Sequence, residues 1–314
     1  MDSDKLRAIA EQSGTTVATV RRVLGHCSGI AAETREAVIR AQCALKHSLP
    51  PDERRLHLIL PDNPKFFWHK ALHVLNGYRF NPPVKLSFYP SLPQSTQLST
   101  YLEPLNEADI SVLILAADLD RAQQETVARI AERSLVIQLC HHTPIPNTVY
   151  VGADAYADGL ALGQYAARHG FSRAAVLKRP HSHTIAERCR GFADGFGAPV
   201  ITVDEPTEDA LYASLLARTL EPLGDIGLVF SAGGRTAETC RALHKLRSGL
   251  RCLGFELSPQ LQKMAEKDAV LALMDQNIAA QTRTALELAI TYLCDGTRPT
   301  EACITVPSKL IETI

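Results

Sequence analysis

Beyond residue 55 the chain alternates short apolar runs with segments whose apolar residues recur every three or four positions. The runs at 57–60, 84–89, 110–115 and 135–139 have the length and composition of buried strands, and 69–78, 96–105 and 121–133 between them carry helical spacing. The rhythm restarts at Ala174. Strands are expected at 174–177, 200–203, 226–230, 252–255 and 270–274, with helices at 184–196, 208–220, 235–246 and 259–266. Strands alternating with helices in this way read as βα units of parallel sheets covered on both faces, and two series predict two similar lobes. A long helix at 277–293 presents Ala285, Leu286, Ala289 and Ile290 to a sheet and is expected to dock back on the first lobe. A short strand follows near Ile304.

The first 47 residues have only the helical period. Leu6, Ile9 and Ala10 form one stripe, Gly14 can take a left-handed turn, and Thr16 can cap a second helix carrying Val17, Val20, Val23 and Leu24. Two short helices meeting at a small-residue turn read as a helix-turn-helix. Ala18, Thr19, Arg21 and Arg22 lie off the apolar stripe and suit a DNA major groove, where Arg grips guanine O6 and N7 together. A helical hairpin with a solvated basic face is the plainer reading of the same residues. A third helix at 32–45, with Val38, Ala41 and Leu45 facing the first two, completes a three-helix headpiece over 1–47. The proline-containing stretch 48–55 is read as a linker.

On Ala10, Gly14, Thr16, Thr19, Val20, Arg22, Val23, Leu24, Thr34, Arg35, Val38, Ala41 and Leu45, the headpiece resembles that of the lac repressor (LacI/GalR) family of bacterial transcription regulators. Sparser landmarks follow in order: Phe66, Phe67, Gly77, Val151 to Asp154, Arg188, Gly191, Phe192, Gly254, Phe255 and Gln276. The resemblance implies an α/β core of periplasmic-binding-protein type over 56–314, its lobes formed by 56–153 with 277–293 and by 154–276 with 294–314. It implies DNA contacts from Thr16, Val17, Ala18, Thr19, Arg21, Arg22 and His26 on a pseudo-palindromic operator, and a homodimer. It implies a repressor of carbohydrate uptake or catabolism genes, switched by a sugar or sugar derivative. The family's minor-groove hinge motif is missing or truncated in the linker. The alternative is a solute-binding protein of transport type, which shares the two-lobed core without DNA function.

Ligands of open parallel sheets gather beyond the carboxyl ends of the strands. Phe66 and Phe67, with Trp68, follow the first strand and offer aromatic faces to a planar ligand or sugar ring; a local hydrophobic cluster explains them equally well. By resemblance, Arg188 is placed to bind effector hydroxyls or a carboxylate, and Glu256 stands where relatives commonly carry an aspartate. Asp154 and Gln276 fall at expected lobe crossings and either touch ligand or hold the hinge. The run from Phe230 to Arg235 departs from the family, because Gly233 and Gly234 replace an Asn-Asp pair. Exposed amides and Arg235 there would favour an anionic or phosphorylated effector; a plain turn is the alternative.

Composition narrows the classes further. An apolar fraction of 46% with no run near the roughly 20 residues of a membrane helix predicts a protein without membrane spans. Residues 1–55 hold nine Lys/Arg against seven Asp/Glu, a mild asymmetry that leaves tight DNA binding to two headpieces acting together. The amino terminus has no basic segment followed by an apolar one, so a cytoplasmic location is expected. Eight cysteines without a C-x-x-C pair argue for reduced thiols, and the pairs His141-His142 and His181-x-His183 lack metal-ligand spacing. With no G-x-G-x-x-G after the first strand, no P-loop and no G-x-S-x-G, neither an enzyme nor a cofactor is expected.

Overall fold

The computed structural model describes the chain apart from residues 1–2, 25–28, 32, 36, 39–40, 42–55, 63–65, 78–84, 91–96, 108–109, 207, 209, 247–248, 266–268 and 313–314. Elements are labelled in chain order.

The amino terminus forms α1 (Ser3–Gln12) and α2 (Val17–Leu24). Gly14 turns the chain at φ 64°, Thr15 N-H donates to the Ala10 carbonyl at 3.0 Å, and Thr16 Oγ1 caps α2 by accepting from Thr19 N-H at 3.1 Å. Leu6, Ile9, Ala10, Val20 and Val23 are buried with Val38 and Ala41, as their spacing requires. The rest of the expected third helix is only partly described, and the linker, together with His26 and Leu45, lies outside the described residues. A complete three-helix headpiece is therefore not established.

The first lobe is built on β1 (Leu56–Asp62), β2 (Lys85–Pro90), β3 (Val112–Leu115), β4 (Leu135–Leu139) and β5 (Thr148–Gly152), with α3 (Phe66–Gly77), α4 (Gln97–Glu107) and α5 (Arg121–Arg133) between them. The chain then crosses into α6 (Ala155–Arg168) and a second series. It comprises β6 (Ala174–Lys178), α7 (His183–Phe196), β7 (Val200–Asp204), α8 (Tyr212–Leu220), β8 (Leu228–Ser231), α9 (Thr236–Leu246), β9 (Arg251–Phe255), α10 (Pro259–Ala265) and β10 (Val270–Asp275). The long α11 (Ile278–Asp295) returns to the first lobe, where β11 (Cys303–Thr305) follows, and β12 (Lys309–Glu312) ends in the second.

The sheet orders are β2-β1-β3-β4-β5-β11 and β7-β6-β8-β9-β10-β12, parallel except for β12, which runs antiparallel to β10. In both sheets the order reverses beside the first strand of the series, the topology that opens a crevice at the carboxyl ends. Residues on both faces of β3 and β4 are buried, which explains their continuous apolar runs. In the first lobe α3 and α11 cover one face while α4 and α5 cover the other. In the second, α8, α9 and α10 cover one face and α6 with α7 the other.

The chain passes between lobes three times, near residues 153, 276 and 307. This corrects the expected division at its end: β11 pairs with β5, so only β12 of the segment 294–314 belongs to the second sheet. Strands β5 and β12 had no strand assigned in the sequence. Among the described residues no helix is long and apolar enough to cross a membrane.

Candidate functional site

The carboxyl ends of the two sheets face each other across a crevice, and the side chains found there come from loops after strands and from the helices that follow them. At its centre is Arg188 on α7, only 5% exposed. Nη1 donates to the Ala232 carbonyl at 3.0 Å, Nη2 donates to Gln276 Oε1, and the guanidinium lies 3.9 Å over the Phe255 ring. Its Nε has no hydrogen-bond partner. Gln276 in turn donates from N-H and Nε2 to Glu256 Oε1 at 3.0 and 3.1 Å. Glu256 Oε2 makes no hydrogen bond and faces Lys70 Nζ of the first lobe at 3.6 Å. Lys70 also lies 3.7 Å from Asp275.

Burial pushes the Glu256 carboxyl up to about 7, and the Asp275 charge adds to the rise, while the hydrogen bonds from Gln276 and the Lys70 charge oppose it. Glu256 has φ 65°, a left-handed backbone, and its N-H donates to the Met274 carbonyl of β10 at 2.9 Å. The positive φ of a non-glycine residue at this turn is a local cost kept at the site.

A second set of contacts crosses the lobes nearer β3 and β4. Ser182, the N-cap of α7, donates from Oγ to Asp118 Oδ1 at 2.7 Å, and His141 Nδ1 is 3.1 Å from the same oxygen. His142 N-H donates to Thr184 Oγ1 at 2.8 Å. Burial alone would raise the Asp118 carboxyl, but the charge and hydrogen bond of His141, the Ser182 hydroxyl and the Arg179 charge outweigh it and hold it below the usual carboxylate range. Trp68 stacks on His141 with centroids 6.3 Å apart, and Phe67 meets Trp68 edge-on at 5.0 Å. Polar groups beside an aromatic face are what a polyhydroxylated ring requires: hydroxyls bond to the former while C-H faces pack on the latter.

Of the residues expected at the ligand, Arg188, Glu256 and Gln276 are brought into one network, and Phe67 lies on the aromatic side of the crevice. Phe66 begins α3, and its side chain lies outside what is described. Asp154 is exposed and caps α6, accepting from Ala157 N-H at 2.9 Å, so it belongs to the crossing. Arg235 donates to the Pro206 carbonyl at 3.1 Å and lies 5.0 Å over Tyr212, within the second lobe. The anion-binding expectation at Gly233 meets a carboxylate: Glu205 Oε2 would stand 3.2 Å from a Cβ at that glycine.

Lys70, Asp118, His141, Ser182, Thr184 and Glu205 were not foreseen. Asp118, His141, Ser182 and Glu205 sit within four residues of a strand's carboxyl end, the positional signal that could have found them. Among the described residues no cluster of three or more His, Cys, Asp or Glu could hold a metal ion. The first set expected on DNA sits on α2: Val17 and Thr19 are half-buried, and Thr16, Ala18, Arg21 and Arg22 are exposed.

No family model and no curated protein matches the chain. Solved structures do. A glucose-galactose binding protein from Geobacillus stearothermophilus matches with TM-score 0.71 at 16% identity, covering 83% of this chain and 98% of its own. The Caulobacter myo-inositol binding protein, bound to myo-inositol, matches with TM-score 0.72 at 17% identity, covering 84% and 95%. A periplasmic ribose ABC transporter protein from Conexibacter woesei matches with TM-score 0.67 at 15% identity, covering 84% and 93%. At these identities the likeness establishes the fold, a two-lobed periplasmic-binding-protein core.

The comparisons correct the expectation of a DNA-binding transcription repressor acting as a homodimer on an operator. All three are proteins that bind or transport a sugar or polyol. Membership of the lac repressor family is likewise not confirmed.

Proposed function

We propose that this chain is a solute-binding protein that closes its two lobes on a neutral sugar or polyol. The observation that carries the reading is the Arg188-Gln276-Glu256 network. It is a buried cation and a buried carboxylate joined through an amide, leaving Arg188 Nε as a donor and Glu256 Oε2 as an acceptor without hydrogen-bond partners. Buried polar atoms of this kind are paired in most structures, and a hydroxyl, which both donates and accepts, would pair each of them.

The bound ligands of matching structures support the reading, since D-arabinose, D-allose and myo-inositol share a ring of vicinal hydroxyls. Non-enzymatic binding belongs to the same proposal. So does a cytoplasmic location, which is supported by the six free cysteines among the described residues. The amino-terminal helices are read as a helix-turn-helix unit seated on α11.

Thermal unfolding against D-ribose, D-arabinose, D-allose, D-glucose, D-galactose and myo-inositol tests the proposal. A ligand at 100 times its Kd stabilises the folded state by about 2.7 kcal/mol, so at least one sugar is expected to raise Tm with increasing concentration. Silence of the folded protein across the panel would overturn it.

A further inference from the structure

We infer that Glu205, rather than any residue of the turn after β8, is the specificity-determining carboxylate at the second-lobe end of the crevice, selecting ligands that donate hydrogen bonds and rejecting anions. The inference rests on the sugar-binding reading and concerns the same crevice.

Glu205 follows β7, is 5% exposed, and is held at both oxygens: Arg179 Nη2 donates to Oε2 at 3.0 Å and the Tyr212 hydroxyl donates to Oε1 at 3.3 Å. Two directed contacts fix the carboxylate without exhausting it, because an ionised carboxylate offers about four lone-pair sites. Gly233 lies directly against it. A Cβ at residue 233 would meet Glu205 Oε2 at 3.2 Å, Arg179 Nη2 at 3.5 Å and Ile185 Cδ1 at 3.5 Å. Gly233 does not have a positive φ, so the backbone there does not require glycine. What crowds a Cβ there is the carboxylate in the neighbouring space. The side chain missing from the turn is thus replaced, through space, by one delivered from β7.

The substitution fixes the chemistry. Two cations flank the turn: Arg179 is committed to Glu205, with Asp118 also within its electrostatic reach, and Arg235 is engaged by the Pro206 carbonyl and the Tyr212 ring. A carboxylate or phosphate on the ligand would meet Glu205 with like charge in a desolvated place, whereas a hydroxyl donates to it.

The test is titration calorimetry of the full chain with the neutral sugar that gives the largest thermal shift, and with D-gluconate and D-glucose 6-phosphate. Wild type is expected to bind the neutral sugar and to discriminate against both anions. Glu205→Gln should weaken the neutral sugar about tenfold, the worth of one buried hydrogen bond, and narrow the ratio of anion to neutral Kd about tenfold. Gly233→Ala should also weaken the neutral sugar, because its Cβ displaces the carboxylate, yet keep the rejection of anions, because the charge remains. Circular dichroism confirms that each variant is folded. A folded Glu205→Gln protein with unchanged affinity and unchanged ratio, or tight binding of either anion by wild type, would overturn the inference alone. No binding of any neutral sugar by wild type would overturn the sugar-binding reading, and this inference with it.

Discussion

Gly159 of α6 packs directly on the backbone of Arg188 in α7, so closely that a Cβ at residue 159 would overlap the Arg188 carbonyl oxygen. The contact is one of four. Gly163 abuts the backbone at Phe192 and Gly195, while Gly191 and Gly195 of α7 abut Tyr156 and Leu160 of α6. Two glycines four residues apart on each helix let the backbones interlock. Because α6 follows directly on the first lobe crossing and α7 carries both Ser182 and Arg188, this packing fixes the central guanidinium relative to the hinge.

Gly159→Ala and Gly191→Ala should therefore each destabilise the protein by about 1 to 3 kcal/mol through overpacking, read from the denaturant midpoint. Gly77→Ala, where a Cβ meets open space and φ is not left-handed, is the control and should be neutral or slightly stabilising.

The raised Glu256 carboxyl sets a pH dependence. With the folded value at about 7 and the unfolded value near 4.5, the folded state holds its proton more tightly across that interval. The stability contribution is thus fully present below about pH 4.5 and is lost as pH rises through 7. Asp158, pushed up to about 6 by burial, acts in the same direction. Glu256→Gln should flatten the fall in stability between pH 5 and 7, measured by urea unfolding. An unchanged slope would count against the burial of this carboxylate.

Asp118 has the opposite sign. Its depressed carboxyl contributes stability above the unfolded value of 3.8 that is lost as pH falls through the lower folded value. Asp118→Asn removes the charge facing His141 of its own lobe and Ser182 of the other. The variant should lose about 1.5 to 3 kcal/mol at pH 7. Small-angle scattering should show a larger radius of gyration as the lobes separate.

The amino-terminal helices are seated on α11 by Ile290 and by a buried ion pair, Arg35 Nη1 to Glu287 Oε2 at 3.0 Å. Glu287 is 4% exposed. Arg35→Met removes this charge-assisted hydrogen bond from the buried Glu287 carboxylate, at a cost of about 1.5 to 3 kcal/mol. Limited proteolysis should then cut the amino-terminal unit before the core.

The lobes were legible because parallel strands buried on both faces leave continuous apolar runs, and 121–133, 135–139 and 184–196 match α5, β4 and α7 to within a residue. Strand β5 was missed: Thr148–Gly152 follows a loop with Pro144 and Pro146 and was read only as the approach to a helix. Strand β12 is four half-buried or exposed residues at an edge, with no apolar run to announce it.

The crevice was half legible. Arg188, Glu256 and Gln276 stood out at family landmarks, but Lys70, Asp118, Ser182 and Glu205 are single polar residues whose role exists only once two lobes face each other. The same blindness produced the DNA reading. A two-helix pattern at residues 3–24 describes local backbone, and its spacing carries no information on what the exposed face of α2 meets.

The account stands most directly on calorimetric titration of neutral sugars into wild type and Arg188→Met. Arg188 donates two hydrogen bonds at the centre of the crevice and keeps Nε unpaired. Wild type is expected to bind at least one pentose, hexose or inositol, and Arg188→Met, folded by circular dichroism, should lose about 100-fold or more in affinity. Equal binding by both proteins, or heat of binding from neither, would contradict the account.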